Sequence, residues 1–196
     1  MSEAFGGASG YSELMFAGLP SPACSARDTF EPLSLADVPA VFDLYSRCAG
    51  YFLLQDGELA VVHDADELFT DVPPTKRPED QHVLGYRVGK RLEAVAAVLT
   101  DYPEPGHWYL GLLLVAPERR SQGLGRKLYA SIEQRSIKHG ATRMLLAVLK
   151  ENESALRFWR SLGFEIVRTV EATTFKQKAH MRYELARRLG NVDPEC

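Results

Sequence analysis

The sequence predicts an α/β domain built on a mixed (α+β) β-sheet flanked by helices, with a right-handed parallel strand–helix–strand unit at its centre. Three observations carry this reading. The run Trp108–Val115 is apolar on both parities, with Trp108, Leu110, Leu112 and Leu114 assigned to one face and Tyr109, Leu113 and Val115 to the other, the pattern of a strand covered on both sides. A glycine turn, Arg120-Ser121-Gln122-Gly123-Leu124-Gly125, then opens a helical pattern that leads to a second apolar run, Met144–Leu149. Paired β-rich stretches on either side of this unit read as antiparallel hairpins.

In chain order, residues 1–27 are rich in Gly, Ser, Ala and Pro and read as a mobile arm. Residues 28–187 read as the single domain, and residues 188–196 as a frayed tail. Thr29–Leu33 is a short edge strand. Ser34 caps a helix bearing Val38, Val41, Phe42 and Tyr45, with Pro39 tolerated in its first turn. A second helical piece covers Asp64–Phe69 and ends at Pro73-Pro74. His82–Val88 and Leu92–Thr100 flank Gly89-Lys90, a two-residue turn that closes hairpins. After the glycine turn, Leu124, Leu128 and Ile132 keep helical spacing up to Gly140, which suits a left-handed terminator. Asn152 caps the next helix, whose face holds Ala155, Phe158, Trp159 and Leu162 before Gly163 stops it. Phe164–Thr169 and Thr174–Leu185 form a terminal hairpin.

Composition excludes several function classes. With 196 residues, 45% of them hydrophobic, and a net charge of −3, the chain has no global attraction for nucleic acid or anionic membrane. The basic charge is local. Residues 118–150 carry Arg119, Arg120, Arg126, Lys127, Arg135, Lys138, Arg143 and Lys150 against Glu118 and Glu133, a segment able to meet a polyanionic small molecule. Residues 51–75 reverse the balance with Asp56, Glu58, Asp64, Asp66, Glu67 and Asp71 and no Lys or Arg, either a solvated acidic loop or a cation-binding face. Cys24, Cys48 and Cys196 are widely spaced and the five histidines lack ligand spacing, so reduced thiols, a cytoplasmic location and no metal site are expected. The N-terminus shows neither a secretory signal nor a membrane span.

The glycine turn is the chemical centre of the chain. At a strand-to-helix turn, unpaired N–H groups and the positive end of the helix dipole converge, and Gly123 and Gly125 leave the approach open, so an anion such as phosphate belongs there. A dinucleotide fingerprint would need a glycine where Leu128 stands, and an ATP-type loop would need Gly-Lys-Ser/Thr where Gly125-Arg126-Lys127 stands.

Two motifs then carry a resemblance. Arg120 to Gly125 match R/Q-x-x-G-x-G/A after the strand ending Val115-Ala116-Pro117, and Asn152, Ala155, Phe158, Gly163 and Phe164 match N-x-x-A-x-x-F-Y-x-x-x-G-F. The chain resembles the GNAT superfamily of acyl-coenzyme A N-acyltransferases from Ser34 to Leu185. The resemblance implies a central mixed sheet with splayed parallel strands and acetyl-CoA as co-substrate. Pantetheine would pair with the backbone of Leu113, Leu114 and Val115, and the pyrophosphate would rest on the N–H groups of Ser121, Gln122, Gly123, Leu124, Gly125 and Arg126. Arg120, Arg126 or Lys127 would meet the remaining phosphate charge. Asn152, Phe158 and Trp159 would face the cofactor.

The implied chemistry is attack of a primary amine on the thioester. The family often has a proton-donating tyrosine where Trp159 stands, and an indole N–H is not usefully acidic. Tyr109 occupies the strand position that bears a glutamate in some relatives and is the expected catalytic group, as a donor at the thioester, its alternative being a core aromatic. Asp101, Glu104 and His107 are further candidates for a proton relay. The acceptor is expected against an aromatic wall of Tyr51, Phe52, Phe69 and Trp108, and the acidic stretch nearby predicts a small cationic amine. A protein or peptide acceptor, or an acyl-CoA sensing module without turnover, are the alternatives. A homodimer through the terminal hairpin or a sheet edge is compatible with the sequence.

Overall fold

The computed structural model describes residues 28–190; the expected N-terminal arm and residues 191–196 lie outside them. Strand β1 (Asp28–Pro32) is followed by helices α1 (Val38–Arg47), α2 (Ala49–Gln55) and α3 (Val62–Thr70), then by strands β2 (Gln81–Val88), β3 (Arg91–Leu99) and β4 (His107–Val115). Helix α4 (Leu124–Lys138), strand β5 (Arg143–Leu149), helix α5 (Glu153–Arg160) and the hairpin of β6 (Glu165–Phe175) and β7 (Lys178–Arg188) complete the chain. One seven-stranded sheet runs in the order β1-β2-β3-β4-β5-β7-β6, so β4 is its middle strand. Its β4–β5 pair is parallel, and the remaining neighbours are antiparallel.

Each face of the sheet has its own core. Helices α1, α2 and α3 bury Val41, Leu44, Phe52 and Ala65 against Val83, Val95 and Leu114. Helices α4 and α5 bury Tyr129, Ile132 and Trp159 against Leu110, Leu146 and Leu185 on the other face. Local signals set the helix ends. Ser34 and Asp37 form a capping box, the Ser34 N–H donating to Asp37 Oδ2 at 2.9 Å, before Pro39 enters the first turn of α1. Asn152 Oδ1 accepts from Ala155 N at 3.1 Å and caps α5.

A bulge in β4 changes the expected facing of its side chains. Ala97 pairs with Leu112 but Val98 with Leu110, which leaves Gly111 as the extra residue. Side chains on either side of it therefore switch faces. Trp108 and Leu110 pack with α4 and α5, whereas Leu112 and Leu114 pack with α1 and its neighbours. The placement of Trp108, Leu110, Leu112 and Leu114 on one face is corrected accordingly.

Three further differences have local causes. Helix α2 was not expected, because its Ala49–Gln55 stretch is short and apolar with no capping side chain. The terminal hairpin turns at Lys176-Gln177 rather than near residue 172, since Thr173, Thr174 and Phe175 continue β6. Fraying does not begin at residue 188: β7 runs through Arg188, and Leu189 is buried with its N–H donating to Thr142 O at 2.9 Å.

Candidate functional site

Strands β4 and β5 pair only from His107↔Arg143 to Leu110↔Leu146. Beyond Leu110, β5 continues against β7 while β4 continues against β3, so the two parallel strands part. The β5-facing backbone groups of β4 past the bulge then lack a strand partner, which is costly unless a ligand or water bonds them. A cleft of about 960 Å³ opens at the fork. Its walls are residues 109–115 of β4, Leu146–Leu149 of β5, the glycine turn, the first residues of α5, and Gly50, Tyr51, Leu54 and Gln55 of α2.

The glycine turn sits at one end of this cleft. Ser121 has φ 60° and Gly123 φ 79°, and Gly123 stands at the N-cap of α4 without any side-chain cap. Helical bonding begins with Lys127 N donating to Gly123 O at 3.1 Å, so the N–H groups of Leu124, Gly125 and Arg126 are left for a ligand at the positive end of a 15-residue helix. Gly125 is needed for a different reason: an added Cβ would lie 3.3 Å from Phe158 Cζ, and Phe158 itself lines the cleft. This cradle fits a pyrophosphate.

Most of the expected cofactor residues converge here. Leu113, Leu114, Val115, Arg120, Ser121, Gly123, Leu124, Gly125, Arg126, Asn152, Phe158 and Trp159 all line the cleft. Gln122 does not; its side chain turns back and donates to Glu118 O at 2.8 Å, bracing the turn. Arg120 donates through Nε to Val115 O at 2.9 Å, and the buried Cys48 thiol lies 3.6 Å from the same oxygen. The Val115 carbonyl is therefore already engaged, and the groups of residues 111–114 that face away from β3 are the ones open to an amide ligand. Arg126 Nη2 donates to Ser161 Oγ at 3.0 Å. Trp159 is buried, edge-on to Tyr129, Phe158 and Phe164 with centroids 4.8 to 5.6 Å away, and meets the cleft as part of that aromatic cluster.

A second cleft of about 340 Å³ opens beside the first, lined by Asp71, Pro73, Gln81, Leu99, Tyr102, Pro103, Leu145, Arg168, Val170 and Glu184. Tyr109, Gly111, Ala147 and Arg182 line both clefts and so mark where they meet. Tyr102 packs edge-on against Tyr109 with centroids 5.7 Å apart. Burial pushes the Tyr109 phenol pKa up, against the opposing pull of Arg182.

The expected aromatic wall does not assemble. Tyr51 lines the larger cleft, with its O–H donating to Gln55 Oε1 at 2.6 Å. Phe52 is buried against Tyr45, and Phe69 packs in the α1–α3 core. Trp108 is in the opposite core, 3% exposed and stacked with His82, because the bulge turns it away. His107 and Glu104 form a pair 3.8 Å apart, and neither they nor Asp101 line either cleft.

The acidic stretch is also largely committed. Lys176 at the hairpin tip pairs with Asp64 at 2.8 Å and Glu58 at 3.4 Å, while Asp56 is buried, its carboxyl pKa pushed up by that burial. Asp71 alone of that stretch lines the smaller cleft. Residues missed by sequence reasoning, Gln55, Phe175 and Arg182 among them, come from α2 and the terminal hairpin, brought in by tertiary pairing with no local motif to mark them. Among the described residues there is no cluster of three or more His, Cys, Asp or Glu able to hold a metal, and no helix long and apolar enough to cross a membrane.

Residues 38–164 match the sequence model of the acetyltransferase (GNAT) family. The fold is similar to solved structures of that kind. An acetyltransferase from Thermus thermophilus is 22% identical, with 83% of this chain and 97% of that chain covered at a TM-score of 0.65. The ribosomal-protein-S18-alanine N-acetyltransferase of Escherichia coli is 17% identical, covering 86% and 98% at 0.63. The spermidine N-acetyltransferase of Vibrio cholerae, solved with CoA and spermine, is 14% identical, covering 84% and 97% at 0.64.

Proposed function

The chain belongs to the acetyltransferase (GNAT) family, which uses acetyl-CoA, and on that premise we propose that it acetylates a primary amine admitted through the smaller cleft while acetyl-CoA occupies the larger one. The observation that carries this reading is the fork between β4 and β5, which joins the two clefts at Tyr109 and Gly111. A thioester brought to that junction faces an amine from the opposite side, so the two reactants meet without bulk water between them.

Residues of this chain divide the work. The N–H groups of Leu124, Gly125 and Arg126 hold the pyrophosphate, and the β5-facing backbone groups of residues 111–114 hold the pantetheine amides. Phe158 and the Trp159 cluster form the wall beneath the thioester arm. Tyr109, kept protonated by its raised pKa, donates a proton or hydrogen bond at the junction. Trp159 supplies shape and no acid. Acetyl-CoA supplies the activated acyl group.

The charge of the smaller cleft argues against the small cationic amine expected from the acidic stretch. Asp71 and Glu184 there are balanced by Arg168 and Arg182, and Glu184 is held by Arg168 at 2.7 and 2.9 Å. Thiol release on mixing the full chain with acetyl-CoA and a panel of primary amines tests the reading. Amine-dependent release is expected from the native chain and none from Gly123→Glu, which places a carboxylate in the cradle. Tight CoA binding with no amine-dependent release would leave a binding module and remove the proposal.

A further inference from the structure

Two arginines of the smaller cleft differ in one respect. Arg168 is neutralised by the Glu184 carboxylate. Arg182 has no carboxylate partner among the described residues, although it lines both clefts. Its guanidinium is nevertheless fixed: Nη2 donates to Thr173 Oγ1 at 3.1 Å, and Cζ lies 5.3 Å from the centroid of the Phe175 ring. Its Nε is sealed from solvent and makes no bond. A positioned cation without a carboxylate partner is a costly arrangement for a protein to keep, and an anionic ligand group at its Nη end offsets that cost.

We propose that Arg182 binds a carboxylate on the acceptor, so that the acceptor is a small amino acid whose amine and carboxylate lie within a few bonds of each other. The inference rests on the acetyltransferase reading above and names its acceptor class. Closeness follows from position. Arg182 stands with Tyr109 and Gly111 at the junction of the clefts, where the attacking amine must also be, so charge and nucleophile have to fit the same end of the slot. The amino acid side chain then extends toward Tyr102 and Asp71 in a space of about 340 Å³, ample for one residue.

The reaction balances without further reactants. The amine nitrogen forms the new C–N bond, the acyl C–S bond breaks, and the proton lost by the nitrogen leaves with the thiol.

Steady-state thiol release with acetyl-CoA tests the proposal, using free amino acids, the corresponding amino acid amides, and spermidine. Free amino acids should exceed their amides in kcat/KM by on the order of 100-fold, the worth of a charged hydrogen-bonded pair. Arg182→Gln should remove that preference by raising KM for the acids far more than for the amides; Arg182→Lys should restore part of it. A merely structural role would slow acids and amides alike, and that result overturns the proposal. Spermidine or the amides turning over better than the acids overturns it too, while leaving the acetyltransferase reading intact. Absence of turnover with every amine removes both.

Discussion

A phenol whose pKa is raised by burial keeps its proton across neutral and mildly alkaline pH, so Tyr109 can serve as a donor and not as a base. Tyr109→Phe should lower kcat by about 10²-fold, the usual weight of one positioned proton donor, with CoA affinity unchanged. An unaltered kcat would leave Tyr109 as a wall of the junction. His82 makes a different demand. Burial pushes its pKa down to about 4 from the ordinary value near 6.5. The unfolded chain therefore takes up a proton as pH falls below 6.5 while the folded chain does not, and stability declines until pH approaches 4. Between pH 7 and pH 5 the loss should be roughly 2 kcal/mol. Urea unfolding at both pH values measures it, and His82→Phe should flatten the difference.

The elements show how closely fold and site are joined. Helix α4 begins at a left-handed Gly123 and has no side-chain cap, which leaves its first N–H groups open. Helix α5 begins at Asn152, whose capping bond to Ala155 makes it a structural residue as well as a wall of the cleft. Asn152→Ala should cost about 1 kcal/mol of stability, read by chemical denaturation. The close approach of α4 to α5 depends on Gly125, where even a Cβ meets Phe158 at 3.3 Å. Gly125→Leu should displace Phe158 and weaken CoA binding more than Asn152→Ala does; equal binding by both variants would show that the wall tolerates movement.

These elements also show what a sequence can disclose. The β4–α4–β5 unit, the glycine turn and the α5 cap were legible because each depends on residues adjacent in the chain: an apolar run, glycines at a turn, a polar residue before a helix. The facing of Trp108 was not legible, since the bulge at Gly111 appears only when β4 is set against β3. Strict alternation placed Trp108 on the face of Leu112 and Leu114, and one extra residue turned it to the other.

At the scale of the whole molecule, the hairpin of β6 and β7 crosses to the α2–α3 segment and closes one side of the larger cleft. Lys176 pairs with Asp64 and Glu58, Lys178 Nζ donates to Leu53 O at 2.7 Å, and the Gln177 N–H donates to Asp56 O at 3.0 Å. Phe175 and Arg182 enter the site through this clasp. Composition showed an acidic stretch and left its role open, because its partner lies more than a hundred residues away in the chain. The ion pairs are partly exposed, so Lys176→Ala should change global stability by less than about 1 kcal/mol. It should instead raise KM for the acceptor several-fold, increasingly so at low salt where the native pair is strongest. An unchanged KM would separate the clasp from the site.

The central claim is that the fork between β4 and β5 holds acetyl-CoA with its pyrophosphate on the start of α4. A crystal structure of the chain with CoA tests it most directly. The pantetheine amides should bond the backbone of residues 111–114, the pyrophosphate should lie on the N–H groups of residues 124–126, and the thiol should point at Tyr109. CoA seated elsewhere, or with its phosphates away from Gly123 and Gly125, would contradict the account.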